Sequence, residues 1–261
     1  MHSILIFTFL FYFILFNNLD IQKVFLILIY SNLLCIIFFY DLKKVIKLNF
    51  KSFFYFHNEN WIISKWLLLT SLIQWFSGNL WVINVGIILG PYYLGVVRCC
   101  QSILNVTNLI FQTIENVYSV KISKIYKVHN ISFLKNYIKQ ITFKGFFLVL
   151  IISLIISLFS KFLLNLVYGS EISSQYHVLI YLSFLLPLTF LQYFPQHVLR
   201  TFSKTFPIFL AFLCSSIIAI LFSSQIINKF EIYGFFSGMY ISQIIILIII
   251  YYNYFKEVNK K

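Results

Sequence analysis

Apolar runs separated by short polar stretches divide the chain. Eight of them read as membrane-crossing helices, near residues 3–17, 21–40, 66–90, 92–118, 145–168, 176–199, 205–226 and 234–254. A helix rises about 1.5 Å per residue, so roughly 20 apolar residues cross the ~30 Å hydrocarbon layer. The first run is short, yet it has neither the basic leader nor the small-residue cleavage site of a signal peptide and reads as a span. The pattern therefore predicts an all-α polytopic membrane protein of about eight transmembrane helices. Residues 1–40 form two helices, 41–65 a basic cytoplasmic linker, 66–254 a six-helix transmembrane bundle and 255–261 a basic cytoplasmic tail.

Inside these runs the polar residues are not scattered. Arg98, Gln101, Asn105, Asn108, Gln112 and Glu115 recur at intervals of three and four in an otherwise apolar stretch. At about 100° per residue that spacing gathers all six within about 100° of arc on one helix face. The stripe rises roughly 25 Å, close to the bilayer thickness. Thr70, Gln74, Ser77, Trp81 and Asn84 share a face of the third span, and Thr189, Gln192, Gln196 and Arg200 cluster in the sixth beside His197. Pro187 and Pro195 can bend that sixth span. Ser153, Ser157 and Ser160 align in the fifth.

Polar side chains facing lipid are costly, so such stripes line a water-filled path or a solute cavity, or they hydrogen-bond between packed helices. The serines and threonines fit the second role. Arg98 and Glu115 fit it less well, because an ionisable group in a span pairs or faces water, and 17 residues separate the two on one helix.

Composition reinforces the membrane reading. The chain is 61% hydrophobic, 21% aromatic and only 10% charged, too apolar to cover a soluble globule. Its net charge of +13 would suit a nucleic-acid partner if it formed one patch, but the lysines gather between the apolar runs. Lys43, Lys44, Lys47, Lys51 and Lys65 follow the second span; Lys121, Lys124, Lys127, Lys135, Lys139 and Lys144 follow the fourth; Arg200 and Lys204 follow the sixth; Lys256, Lys260 and Lys261 close the chain. By the positive-inside rule that side, with both termini, is cytoplasmic. The basic segments 41–65 and 121–144 interleave lysine with apolar residues and read as interfacial amphipathic helices or as contacts to anionic lipid headgroups. Cys35, Cys99, Cys100 and Cys214 lie in apolar runs without ligand spacing, so neither a metal site nor a cofactor is expected. No phosphate-cradling loop or nucleophile motif stands out.

Certain runs are more specific. Lys65-Trp66, Gln74 through Trp81 (QWFSGNLW), Leu89 through Arg98 (LGPYYLGVVR), then Gln101, Asn105 and Glu115-Asn116 stand in order. Tyr168-Gly169-Ser170-Glu171, Leu199-Arg200 with Lys204 before Pro207, and Tyr233-Gly234 with Gly238 follow. Over about residues 60–255 the chain thus resembles the carboxy-terminal bundle of bacterial polysaccharide flippases, of the multidrug, oligosaccharidyl-lipid and polysaccharide exporter superfamily.

That resemblance implies one six-helix bundle of a two-bundle exporter with a central cavity, preceded here by two helices where about six belong. It implies a transporter, not an enzyme, in the bacterial inner membrane. The expected cargo is an isoprenoid-diphosphate-linked oligosaccharide for lipopolysaccharide O-antigen, capsule or exopolysaccharide. Membrane lipids, a missing amino-terminal bundle and glycan-assembly proteins are the implied partners; nucleic acid is not. The candidate path comprises Arg98, Gln101, Asn105, Asn108, Gln112, Glu115, Gln74, Asn84, Gln192, Gln196 and Arg200: amides for sugar hydroxyls and cations for a diphosphate. Alternatives are a cation or multidrug antiporter of the same superfamily, which would carry more buried acids, and an inactive remnant. A membrane glycan polymerase or acyltransferase would need a larger outer loop than this chain offers.

Overall fold

A computed structural model describes residues 50–128 and 131–259. The helices expected within 3–40, and Lys43, Lys44, Lys47, Lys260 and Lys261, lie outside the described residues. The account below concerns the unit that starts at Asn60. Its regular structure is helical: α1 (Phe50–Ile88), α2 (Pro91–Val128), α3 (Ile131–Leu158), α4 (Ser160–Tyr168), α5 (Ser170–Ser173), α6 (Tyr176–Ser183), α7 (Leu185–Thr201) and α8 (Phe206–Asn259). Among the described residues five stretches are long and apolar enough to cross a membrane: 64–88, 91–126, 131–158, 176–201 and 206–259. The chain is a multi-pass membrane protein.

The helices overrun the apolar runs that announced them. No proline or glycine interrupts residues 50–77, so α1 continues through the second half of the segment read as a linker. In the basic segment 121–144 the described residues, 121–128 and 131–144, are likewise helical. At 38 residues α2 is about 57 Å long, well beyond a ~30 Å hydrocarbon layer, so its lysine-bearing end projects past the apolar zone. Hydropathy locates the membrane crossing, not the helix end.

Gly90, at φ 95°, turns α1 into α2, and Pro91 starts the new helix where its missing N–H costs nothing. The 54-residue α8 is folded back on itself at Glu231, whose φ of 51° and ψ of −131° are not helical. A straight helix would separate residues 226 and 234 by about 12 Å. Here a Cβ on Gly234 would collide with the Ile226 carbonyl, so the two arms, 206–230 and 232–259, run antiparallel at close range.

α7 is the hub, packing against α8, α3 and α2, and most of its residues are buried. Two prolines shape the approach to it. Pro187 cannot donate to the carbonyl four residues back, on Ser183, and the helix breaks at Phe184 between α6 and α7. Ser153 Oγ of α3 donates to that freed carbonyl at 2.8 Å. Pro195 frees the Leu191 carbonyl in the same way, and Tyr251 Oη of α8 donates to it at 3.1 Å. With no water available in lipid, both gaps are filled by a neighbouring helix.

Three residues of the polar stripe of α1 are engaged in packing. Ser77 Oγ pairs with Ser215 Oγ at 2.8 Å, Asn84 Nδ2 donates to Ser223 Oγ, and Trp81 Nε1 donates to Ser242 Oγ at 3.1 Å. These bonds tie α1 to both arms of α8. Trp81 is fully buried with its ring against Gly238, where any Cβ would overlap the indole.

Candidate functional site

Beside that packed seam opens a cavity of about 470 Å³, bounded by α1, α2, α7 and the two arms of α8. The α2 stripe forms one wall. Arg98, Gln101, Asn105 and Asn108 line it together with Gln74 and Asn79 from α1 and Thr189, Gln192 and Tyr193 from α7. Six of the eleven residues singled out in the sequence, Arg98, Gln101, Asn105, Asn108, Gln74 and Gln192, thus meet in one place.

Arg98 is exposed on this wall and oriented from two sides. Its Nη1 donates to Gln101 Oε1 at 3.1 Å, one helical turn on, and its Nη2 donates to Asn79 Oδ1 at 3.2 Å across on α1. Asn79 is itself steadied by donating to the Trp75 carbonyl at 2.9 Å. Among the described residues no carboxylate pairs with Arg98. Deeper along the wall Asn108 Nδ2 donates to Asn105 Oδ1 at 3.0 Å. The lining contains no aspartate or glutamate. Its electrostatics therefore favour an anion, with the guanidinium fork held by neutral amides that leave its charge uncompensated.

The inner wall is unsaturated. Gln192 and Gln243 both line the cavity, each about nine-tenths buried, and Gln192 Oε1 and Gln243 Nε2 are buried without a hydrogen-bond partner. An acceptor and a donor are thus left open on α7 and on the second arm of α8. A hydroxyl, which donates and accepts at once, satisfies such a pair. Phe111 and Tyr193 add aromatic surface, their ring centroids 5.5 Å apart.

The remaining sequence candidates lie elsewhere. Glu115 accepts from Arg200 Nη1 at 3.3 Å and has His197 Nε2 at 3.6 Å, so α2 and α7 are clasped by a cation-carboxylate pair below the cavity. Gln196 is buried next to this clasp in sequence, with its Nε2 unpaired. Gln112 is exposed on α2 outside the lining, and Asn84 belongs to the packing seam. Sequence reasoning missed Asn79, Ser242 and Gln243. Gln243 was findable as the one amide in the apolar run between Tyr233 and Asn253.

A polar, cation-bearing cleft lies among long apolar helices, and comparison with known proteins gives the family. The MatE family model matches residues 67–224, more than half of the chain. The chain belongs to the MatE family. It is thereby a member of the multidrug, oligosaccharidyl-lipid and polysaccharide exporter superfamily, whose proteins are transporters. The capsular polysaccharide biosynthesis protein CapF of Staphylococcus aureus is 27% identical over 206 residues, which is 76% of this chain and 52% of that relative. The chain thus spans about half the length of the curated relative it matches. No solved structure matches it significantly. The matched region runs from α1 into the first arm of α8 and so contains Arg98, both proline-freed carbonyls and the Glu115–Arg200 clasp.

Proposed function

We propose that this chain supplies one wall of a flippase that moves an isoprenoid-diphosphate-linked oligosaccharide across the bacterial inner membrane for capsule, O-antigen or exopolysaccharide assembly. The observation that carries the reading is the cavity's charge pattern: one uncompensated guanidinium, no acid, and amides and hydroxyls set among apolar side chains. A cation antiporter would want buried carboxylates there. A saccharide diphosphate presents anionic oxygens for Arg98 and hydroxyls for the open pair on Gln192 and Gln243. The likeness to a capsular polysaccharide biosynthesis protein points the same way.

The exposed stripe from Arg98 to Gln112 also needs cover within a bilayer. A second bundle, on this or another chain, provides the facing wall, and α1 to α8 supply six passes toward the cleft once α8 is counted as two arms. Rocking of the two bundles exposes the cavity alternately to the two sides. Basic residues then mark the cytoplasmic face, with both termini on that side.

The test is export of the lipid-linked glycan by cells carrying the complete transporter. Arg98→Ala should abolish export, and Arg98→Lys should retain part of it, since lysine keeps the charge and loses the planar fork. Membrane abundance is measured in parallel by immunoblot. Full export by Arg98→Ala at normal abundance would overturn the reading.

A further inference from the structure

α7 is two-faced. Thr189, Gln192 and Tyr193 look into the polar cavity, whereas Leu191 and Pro195, roughly half a turn round, form the floor of a second concavity of about 420 Å³. This groove is walled by one stripe of α3 and by the end of α8. On α3 the stripe begins with Lys135 and Lys139 and continues inward with Phe143 and Phe146. From Lys135 to Phe146 it runs about 16 Å. On α8 the facing wall is aromatic: Tyr254 and Phe255 have ring centroids 5.2 Å apart, and Tyr251 lies 6.3 Å from Tyr254.

The walls are held in place. Tyr251 Oη is spent on the Leu191 carbonyl that Pro195 frees, which fixes α8 against α7 along the groove floor and leaves that part of the lining apolar. The groove is therefore a formed concavity among helices that cross a membrane, not a convex lipid-facing surface. Its charge is confined to one end. Lys135 and Lys139 are exposed there, and among the described residues no carboxylate pairs with either. An apolar slot with two unneutralised ammonium groups at its mouth complements a molecule with an acyl chain and an anionic head.

We propose that the groove between α3, α7 and the second arm of α8 is a binding site for one anionic phospholipid of the surrounding bilayer, with its phosphate at Lys135 and Lys139 and an acyl chain along Phe143, Phe146 and Tyr251. The site is independent of whatever the polar cavity carries. It gives the lysines in the first turns of α3 a specific task beyond marking the basic side of the membrane. A lipid seated there would bridge α3 to α7 and α8, two helices that also wall the cavity.

Native mass spectrometry of the purified full chain, incubated with equimolar palmitoyl-oleoyl phosphatidylglycerol and the matching phosphatidylcholine, tests it. At about fivefold per lysine near an anionic head, wild type should retain one phosphatidylglycerol with a preference of tenfold or more. The surface pair Lys135→Gln/Lys139→Gln should bring that preference close to one, and Thr142→Trp, which fills the groove, should weaken retention of both lipids. Equal retention of the two lipids by wild type would overturn the proposal, with no variant needed. So would a preference that survives in the double variant, displacement of the lipid by millimolar glycerol phosphate, or a dimer that forms at the expense of lipid binding.

Discussion

Ser153 holds a position whose energetics can be worked from its neighbours. It is fully buried on α3, and its hydroxyl donates at 2.8 Å to the Ser183 carbonyl, which Pro187 deprives of its helical partner. Ser153→Ala removes one oxygen, opens almost no space, and strands that carbonyl away from water. An unpaired buried acceptor costs about 1–3 kcal/mol, and hydrogen bonds between membrane helices average toward the lower end. We expect about 1–2 kcal/mol, read as a fall of roughly 2–8 °C in the melting temperature of the detergent-solubilised protein. A double-mutant cycle isolates the cause. Pro187→Ala restores an N–H four residues after Ser183, so in that background Ser153→Ala should cost less than about 0.5 kcal/mol. Thermal unfolding followed by size-exclusion fluorescence gives all four values. An equal loss with and without Pro187 would show that the serine matters for some other reason, and no loss at all would show that the carbonyl is satisfied without it.

Glu231 turns α8 at a φ of 51° and ψ of −131°, a conformation costly for a side-chain-bearing residue, so Glu231→Gly should raise stability by about 1 kcal/mol in the same unfolding assay. A clear loss would mean that the carboxylate, not the backbone, makes the turn. Gly238→Ala places a methyl into the Trp81 ring and should cost about 1–3 kcal/mol, whereas Ser237→Ala, one residue away and exposed, should be nearly neutral. Comparable melting temperatures for the two would refute the tight seam between α1 and α8.

Much of this arrangement was legible in the chain. The all-helical membrane class follows from apolar runs, and the α2 stripe from intervals of three and four, because both are local properties of a 3.6-residue repeat. The stripe of α1 has the same periodicity and a different fate: its Ser77, Trp81 and Asn84 are bonded to α8, while Gln74 and the edge of Ser77 reach the cavity. Periodicity finds a polar face and is silent on what lies opposite. The partner of Glu115 is Arg200, 85 residues on, a pairing set by how α2 meets α7 and invisible to any window of sequence. The prolines were legible as bends, but the hydroxyls that answer them come from α3 and α8. Lysine-rich extensions keep helical geometry beyond the apolar zone, as in residues 119–128 of α2, so an apolar run marks the crossing and not the end of the helix. Leu104 and Phe111, one step off the stripe, are buried yet also line the cavity, so the wet face is wider at that level than the polar residues alone mark.

The central claim is that the Arg98 cavity takes a saccharide-bearing anionic lipid. With Cys35, Cys99, Cys100 and Cys214 replaced, a single cysteine at position 105 can be followed with a membrane-impermeant maleimide in membrane vesicles carrying the complete transporter, beside a control at Val106, which is 66% exposed on the apolar side of the same helix. The account predicts that Asn105→Cys is labelled, that the Val106→Cys control is not, and that a lipid-linked oligosaccharide slows labelling at position 105 while the isoprenoid alcohol alone does not. Labelling at position 105 that is absent, or that proceeds at the same rate with and without the glycolipid, would contradict it.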